Sequence, residues 1–176
     1  ISQYVGANKL NEVKALPSQA IAIILIIATI ICFITYPLSK SIFSLYNASD
    51  LLLDYCVSYY KIRVIGLPLT LYVFAVFGVF RGLQNTYYPM KIAISGATIN
   101  ILLDFVLVYG IKDWFLPLNL QGAAIASVLS QFLMAILATY YLLKKTEIPL
   151  RFSNTLNKEI PKFLNMIGHL IVRTLA

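Results

Sequence analysis

The sequence predicts an all-α fold, a polytopic bundle of transmembrane helices, and three observations carry that expectation. Sixty per cent of the residues are hydrophobic and 12% are charged, against about half and a quarter in an ordinary globular domain. Residues 15–39, 64–80 and 114–143 contain no charge at all, and between Lys91 and Lys112 the only one is Asp104. A helix needs about 20 mainly apolar residues to cross ~30 Å of hydrocarbon. A soluble core does not need uncharged runs of that length, so the bilayer is the expected solvent.

Each span has its own punctuation. The first, residues 16–36, is rich in Ile and opens at Pro17, where proline fits the first helical turn. Pro37 is expected to close it. An amphipathic stretch, 38–60, follows, broken at Asn47-Ala48-Ser49-Asp50. The second span, 63–80, carries Gly66 and Pro68 near its start, which predicts a kink there. A polar turn then leads to Pro89 and a third span at 90–111. A connector around Pro117 precedes the fourth at 121–143. Residues 1–145 thus read as one membrane unit, 146–160 as a charged linker, and 161–176 as the start of a further apolar unit. The first residue, Ile1, and the apolar run at the end suggest a piece of a longer chain.

The net charge of +7 does not point to nucleic acid, because the basic residues sit between spans rather than in one patch. Alternate connectors share a side. One side holds Lys9, Lys14, Arg81, Lys91, Lys144, Lys145, Arg151, Lys158 and Lys162; the other holds Lys40, Lys61, Arg63 and Lys112. Nine against four places residues 1–15, 81–91 and 144–162 in the cytoplasm by the positive-inside rule. Tyrosines cluster at span ends, as in an interfacial aromatic belt. Cys32 and Cys56 are too few for a disulfide framework and are expected to be free.

Asp104 is the most informative residue. It lies thirteen positions after Lys91 and eight before Lys112, a little beyond mid-bilayer toward the outer side. A charged carboxylate there is costly unless paired, solvated or protonated, and ionisable groups inside a membrane mark ion or substrate paths. Desolvation favours the neutral form of a carboxylate, which suits a proton carrier. Asn100 is one turn earlier on the same face, and Gly96 continues the stripe. In the fourth span Ala123, Ser127 and Gln131 recur every four residues. Packing between helices explains that stripe as well as function does. Oxygens from Asp104, Asn100 and Ser127 could hold Na⁺, or Asp104 could hold a proton. His169 and Arg173 could line a cavity or sit near an interface. One histidine and two separated cysteines make no transition-metal site of the usual kind, and no cofactor is expected. With no phosphate loop or nucleophile triad in view, an enzyme is not expected either.

The run Phe80-Arg81-Gly82-Leu83-Gln84-Asn85-Thr86-Tyr87-Tyr88-Pro89 resembles a loop of the multidrug and toxic compound extrusion (MATE) family of the form RGxQ(D/N)TxxP. Asn100 to Asp104 is similar to that family's N-x-x-x-D helix, and Gly122-Ala123-Ala124-Ile125-Ala126-Ser127 to its GAAxA(T/S) motif. Gln3 to Ala7 and Tyr60 to Pro68 resemble two further segments, so the likeness covers nearly the whole chain. It implies helices three to six of a two-lobe, twelve-helix transporter, with the seventh beginning near Phe163. The last segment is closest in style to the DinF-like branch. The resemblance further implies a cation site at Asn100, Asp104 and Ser127, with H⁺ or Na⁺ as coupling ion and a partner carboxylate in a first helix not present here. Gln131, Gly96, His169 and Arg173 are candidates for cavity lining. A monomer in the cell membrane, exporting small organic compounds by antiport, is the expected function. The alternatives are a lipid-linked-precursor flippase and a non-transporting membrane scaffold.

Overall fold

The computed structural model describes residues 1, 2, 6, 7, 15–46, 50–110, 116–146, 161, 165 and 173. These residues form an all-α bundle whose long helices are α1 (Leu16–Leu45), α2 (Asp50–Ile65), α3 (Leu67–Gly82), α4 (Tyr87–Tyr109) and α5 (Asn119–Lys145). By length and composition α1, α4 and α5 can each cross a membrane, and α2 with α3 makes a fourth, broken crossing. The expected linker and most of the following apolar unit fall outside the described residues, as do positions 47–49.

Pro17 occupies the first turn of α1 as expected, but Pro37 does not close the helix, which runs on to Leu45. Inside a membrane, hydroxyl side chains and neighbouring helices can compensate for a proline's missing donor. The carbonyl that loses a helical donor to Pro37 is that of Phe33, four residues earlier; just past the proline the buried Ser39 hydroxyl donates to the Tyr36 carbonyl at 2.9 Å. At 1.5 Å per residue α1 is about 45 Å long, more than the ~30 Å of hydrocarbon.

The second crossing differs from the expected 63–80 in a way that matters. Its helical path starts at Asp50, and the kink at Gly66–Pro68 is a 44° bend between α2 and α3. Pro68 supplies no N–H there. Both the Thr70 N–H, at 3.0 Å, and the Thr70 hydroxyl, at 3.1 Å, donate to the Gly66 carbonyl on the inner side of the break. Arg63 therefore lies one turn before a bend within the helical path, not at the start of that path.

α4 starts two residues before Pro89, because the first-turn N–H groups of a helix need no intrahelical acceptor. The Tyr87 N–H is instead taken by the Asn85 side chain at 3.1 Å. α4 closes at Gly110, whose φ of +74° suits glycine.

The start of α1, the end of α3, the start of α4 and the end of α5 meet at one end of the bundle. Tyr88 stacks on Tyr141 with centroids 5.0 Å apart and on Phe80 at 5.5 Å. Lys91 lies over the Tyr87 ring and Lys144 over the Tyr140 ring. This is the end expected to face the cytoplasm. The apolar core sits toward it, around Ile21, Val76, Phe80, Ile92, Ala138 and Leu142. Large apolar side chains such as Phe33, Phe74, Phe105 and Phe132 point outward instead, as lipid-facing surface does. Cys32 and Cys56 are free.

Candidate functional site

α4 and α5 run antiparallel and are the most extensively packed pair. Two glycines let them close in. Met134 seats where a side chain at Gly96 would be, and Gly122 lies against the backbone of Leu107 and Val108. These contacts fix the register. Asn100 comes level with Ser130 and Gln131, and Asp104 level with Ala126 and Ser127. What Gly96 gives the site is this close approach.

α2 and α3 run parallel to α5. The Tyr72 hydroxyl meets the Thr139 hydroxyl at 2.6 Å; Thr139 donates to the Ala135 carbonyl, so Tyr72 is the donor. Further along, Gly66 has the Gln131 side-chain oxygen and the Val128 side chain against it. Arg63, one turn before Gly66, is thereby level with the Ala124–Ser127 turn of α5. Across α5, that is also the level of Asp104.

Asn100, Asp104, Ser127, Gln131 and Arg63 are all half-buried. Four side-chain atoms among the described residues are buried without a hydrogen-bond partner: Arg63 Nη1, Asn100 Nδ2, Asp104 Oδ1 and Gln131 Oε1. All four belong to this slab. Folded proteins leave few such atoms, and each costs about 1–3 kcal/mol when nothing satisfies it. The rest of the bundle shows the usual economy. Thr29, Thr35 and Thr98 donate their hydroxyls to carbonyls one turn back, and so does Ser130, to the Ser127 carbonyl at 2.9 Å. Among the described residues, the unpartnered buried groups are thus confined to α2, α4 and α5 at the level of Asp104 and Gln131.

Two of those atoms are acceptors, Asp104 Oδ1 and Gln131 Oε1, and two are donors. An amide can also turn to present its other atom, so Asn100 can offer oxygen. With Ser127 beside them, these groups can hold a small cation or exchange a proton with the Asp104 carboxyl. Among the described residues no three His, Cys, Asp or Glu side chains gather to hold a metal. His169 lies outside the described residues, and Arg173 is exposed.

Arg63 is the residue that sequence reasoning missed. It was counted with the outer connector, on the assumption that the crossing starts there. The available signal was its place three residues before a Gly-x-Pro break, which bends a helix within its path rather than starting it.

A family model described as MatE matches residues 1–106, more than half of the chain. The chain is 34% identical over 119 residues to "Protein DETOXIFICATION 43" of Arabidopsis thaliana, covering 67% of this chain and 21% of that protein. It is 28% identical over 153 residues to "Probable multidrug resistance protein NorM" of Thermotoga maritima, covering 86% of this chain and 32% of the relative. Among solved structures it is similar to an inward-facing multidrug resistance MATE family transporter of the MOP superfamily. The TM-score is 0.80 at 23% identity, over 92% of this chain and 36% of that one. The chain thus spans between about a fifth and a little over a third of these three proteins' length.

Proposed function

This chain belongs to the MatE family, and on that premise we propose that it forms part of a cation-coupled exporter of small organic, often cationic, compounds, acting as a monomer in the cell membrane. The relatives' names support export of organic compounds. The observation that carries the coupling site is the gathering of unpartnered buried groups around Asp104. Residues 1–145 would be most of the first lobe of a two-lobe, twelve-helix protein, with 146–160 linking to the second.

The mechanism is alternating access. An ionised Asp104 surrounded by neutral amides and hydroxyls holds one unit of negative charge in a low-dielectric slab. Binding a cation or a proton cancels that charge. A ligand shifts a conformational equilibrium only by its differential affinity for the two states, and a site whose charge changes on binding supplies such a difference. Asn100 and Gln131 orient the carboxyl, and Ser127 adds a hydroxyl oxygen. Release of the organic substrate on the outer side follows from the shift in favoured conformation.

The test is gradient-driven efflux of a fluorescent organic cation by the complete natural protein, wild type against Asp104→Asn at matched expression. Loss of efflux in the variant alone supports the reading. Equal pumping makes Asp104 structural. If neither pumps, the substrate class is wrong and the flippase or scaffold reading gains.

A further inference from the structure

We propose that the groove between α3 and α5 seats one anionic phospholipid of the cytoplasmic leaflet, with an acyl chain along the groove and the phosphate on Lys144. No residue of α4 lines this groove, so it is separate from the place held by Asn100 and Asp104.

The groove is open, about 540 Å³ in volume, and lined by Leu69 and Tyr72 of α3, Phe132, Ile136 and Leu143 of α5, and Leu25 of α1. From Phe132 to Leu143 is about 16 Å along the helix axis, roughly half of the ~30 Å of hydrocarbon. The groove is therefore one leaflet deep, and Leu143 puts its near end at the cytoplasmic side. The hydroxyl protons in its wall are already used. Tyr72 donates to Thr139 at 2.6 Å, and Thr139 donates to the Ala135 carbonyl at 2.8 Å. Short of Tyr140 no hydroxyl proton is left for a polar occupant, while Phe132, Ile136 and Leu143 stay exposed. Such a wall suits hydrocarbon.

At the cytoplasmic mouth the chemistry changes. Tyr140 lines the groove, and Lys144 lies over its ring and donates to its hydroxyl at 3.1 Å. That bond uses one of three ammonium protons, and Lys144 is exposed. Helical side chains lean toward the N-terminus of their helix. Lys144, at the inner end of α5, therefore reaches back toward the membrane, and Lys91, one turn into α4, reaches toward the cytoplasm. The Tyr88–Tyr141 stack holds these two turns level, so both ammoniums end at the depth of the tyrosine rings. An aromatic belt sits at headgroup level, where basic side chains attract anionic lipid. The acids among the described residues are Asp50 and Asp54 on α2 and Asp104 in the outer half of α4, and none of them is at this end. The sign of the charge selects the occupant. An organic cation is repelled at the mouth, whereas a phosphodiester on an acyl tail matches the ammonium and the apolar run together.

The experiment uses the complete natural protein in phosphatidylcholine nanodiscs. A trace of phosphatidylglycerol or of phosphatidylcholine, each with a diazirine in its acyl chain, is added, and the labelled residues are mapped by mass spectrometry after illumination. The phosphatidylglycerol probe should label Leu69, Phe132 and Ile136 well above the exposed Phe33 and Phe105, and the phosphatidylcholine probe should not. Lys144→Gln should lower groove labelling by the anionic probe about fivefold and leave Phe105 unchanged, while Lys144→Arg should keep it. Leu69→Trp should fill the groove and abolish labelling there. Equal labelling by the two probes makes the groove ordinary lipid-facing surface and overturns the proposal, as does a Lys144→Gln variant labelled like wild type. An unlabelled groove overturns it too, because another part of the protein then covers that face. Label displaced by a fluorescent organic cation and not by unlabelled phosphatidylglycerol makes it a cargo site instead. Should Leu69→Trp fail to accumulate, the exposed Lys144 and its two replacements still decide.

Discussion

Replacing Gly122 by alanine should push α4 and α5 apart. A methyl group at that position runs into the Leu107 carbonyl and stands 3.0 Å from the Val108 nitrogen. The obstacle is backbone, which cannot swing aside as a side chain would. The same carbonyl accepts the Leu118 N–H at 3.0 Å, the bond that ties the start of α5 to the end of α4. Overpacking of this kind costs about 1–3 kcal/mol. Alanine recovers up to about 1 kcal/mol of helix preference over glycine, which leaves a net loss of up to about 2 kcal/mol, toward the upper end here because the obstacle is backbone. Gly78 is the control, since nothing lies within 4 Å of its would-be side chain. Gly78→Ala should be neutral or mildly stabilising. The assay is thermal unfolding of the purified protein in detergent. At roughly 2–4 °C per kcal/mol for domains of 150–250 residues, Gly122→Ala should melt several degrees below wild type. If Gly122→Ala melts with wild type, or Gly78→Ala falls as far, the close-approach argument is refuted.

Two further substitutions separate packing from function. Tyr72→Phe removes the donor to Thr139 and should lower stability by about 0.5–1 kcal/mol, read in the same melting assay, with the response to the driving gradient unchanged. Gln131→Leu removes an unpartnered buried oxygen, so melting should hold or rise while efflux falls; a variant that loses stability and keeps efflux would make Gln131 a packing residue.

Much of this architecture was legible because the bilayer imposes one rule on long segments. Residues 121–143 lie within α5, and α4 covers 90–109 of the expected 90–111; apolar length was enough to find them. The bend was legible too, since Gly66 and Pro68 act locally. Pro37 was misjudged because its effect depends on what surrounds it, and a membrane helix tolerates a proline that a soluble one would not. Within the candidate site, Asn100, Asp104, Ser127 and Gln131 followed from four-residue spacing on single helices. Arg63 did not, because its level relative to Asp104 is set by two separate contacts with α5, at Gly66 and at Tyr72. No periodicity within one helix carries that information.

The 44° bend at Gly66 has a mechanical consequence. α3, below the bend, is anchored among the large apolar residues of the core, while α2 extends from it for sixteen residues, about 24 Å. Each degree of rotation at Gly66 would carry the far tip of α2 by about 0.4 Å. The fulcrum touches the Gln131 side chain, so a small shift of that amide has a long arm to act through. Ten degrees would displace the outer tip by about 4 Å, the scale on which an opening between helices admits or refuses a small molecule.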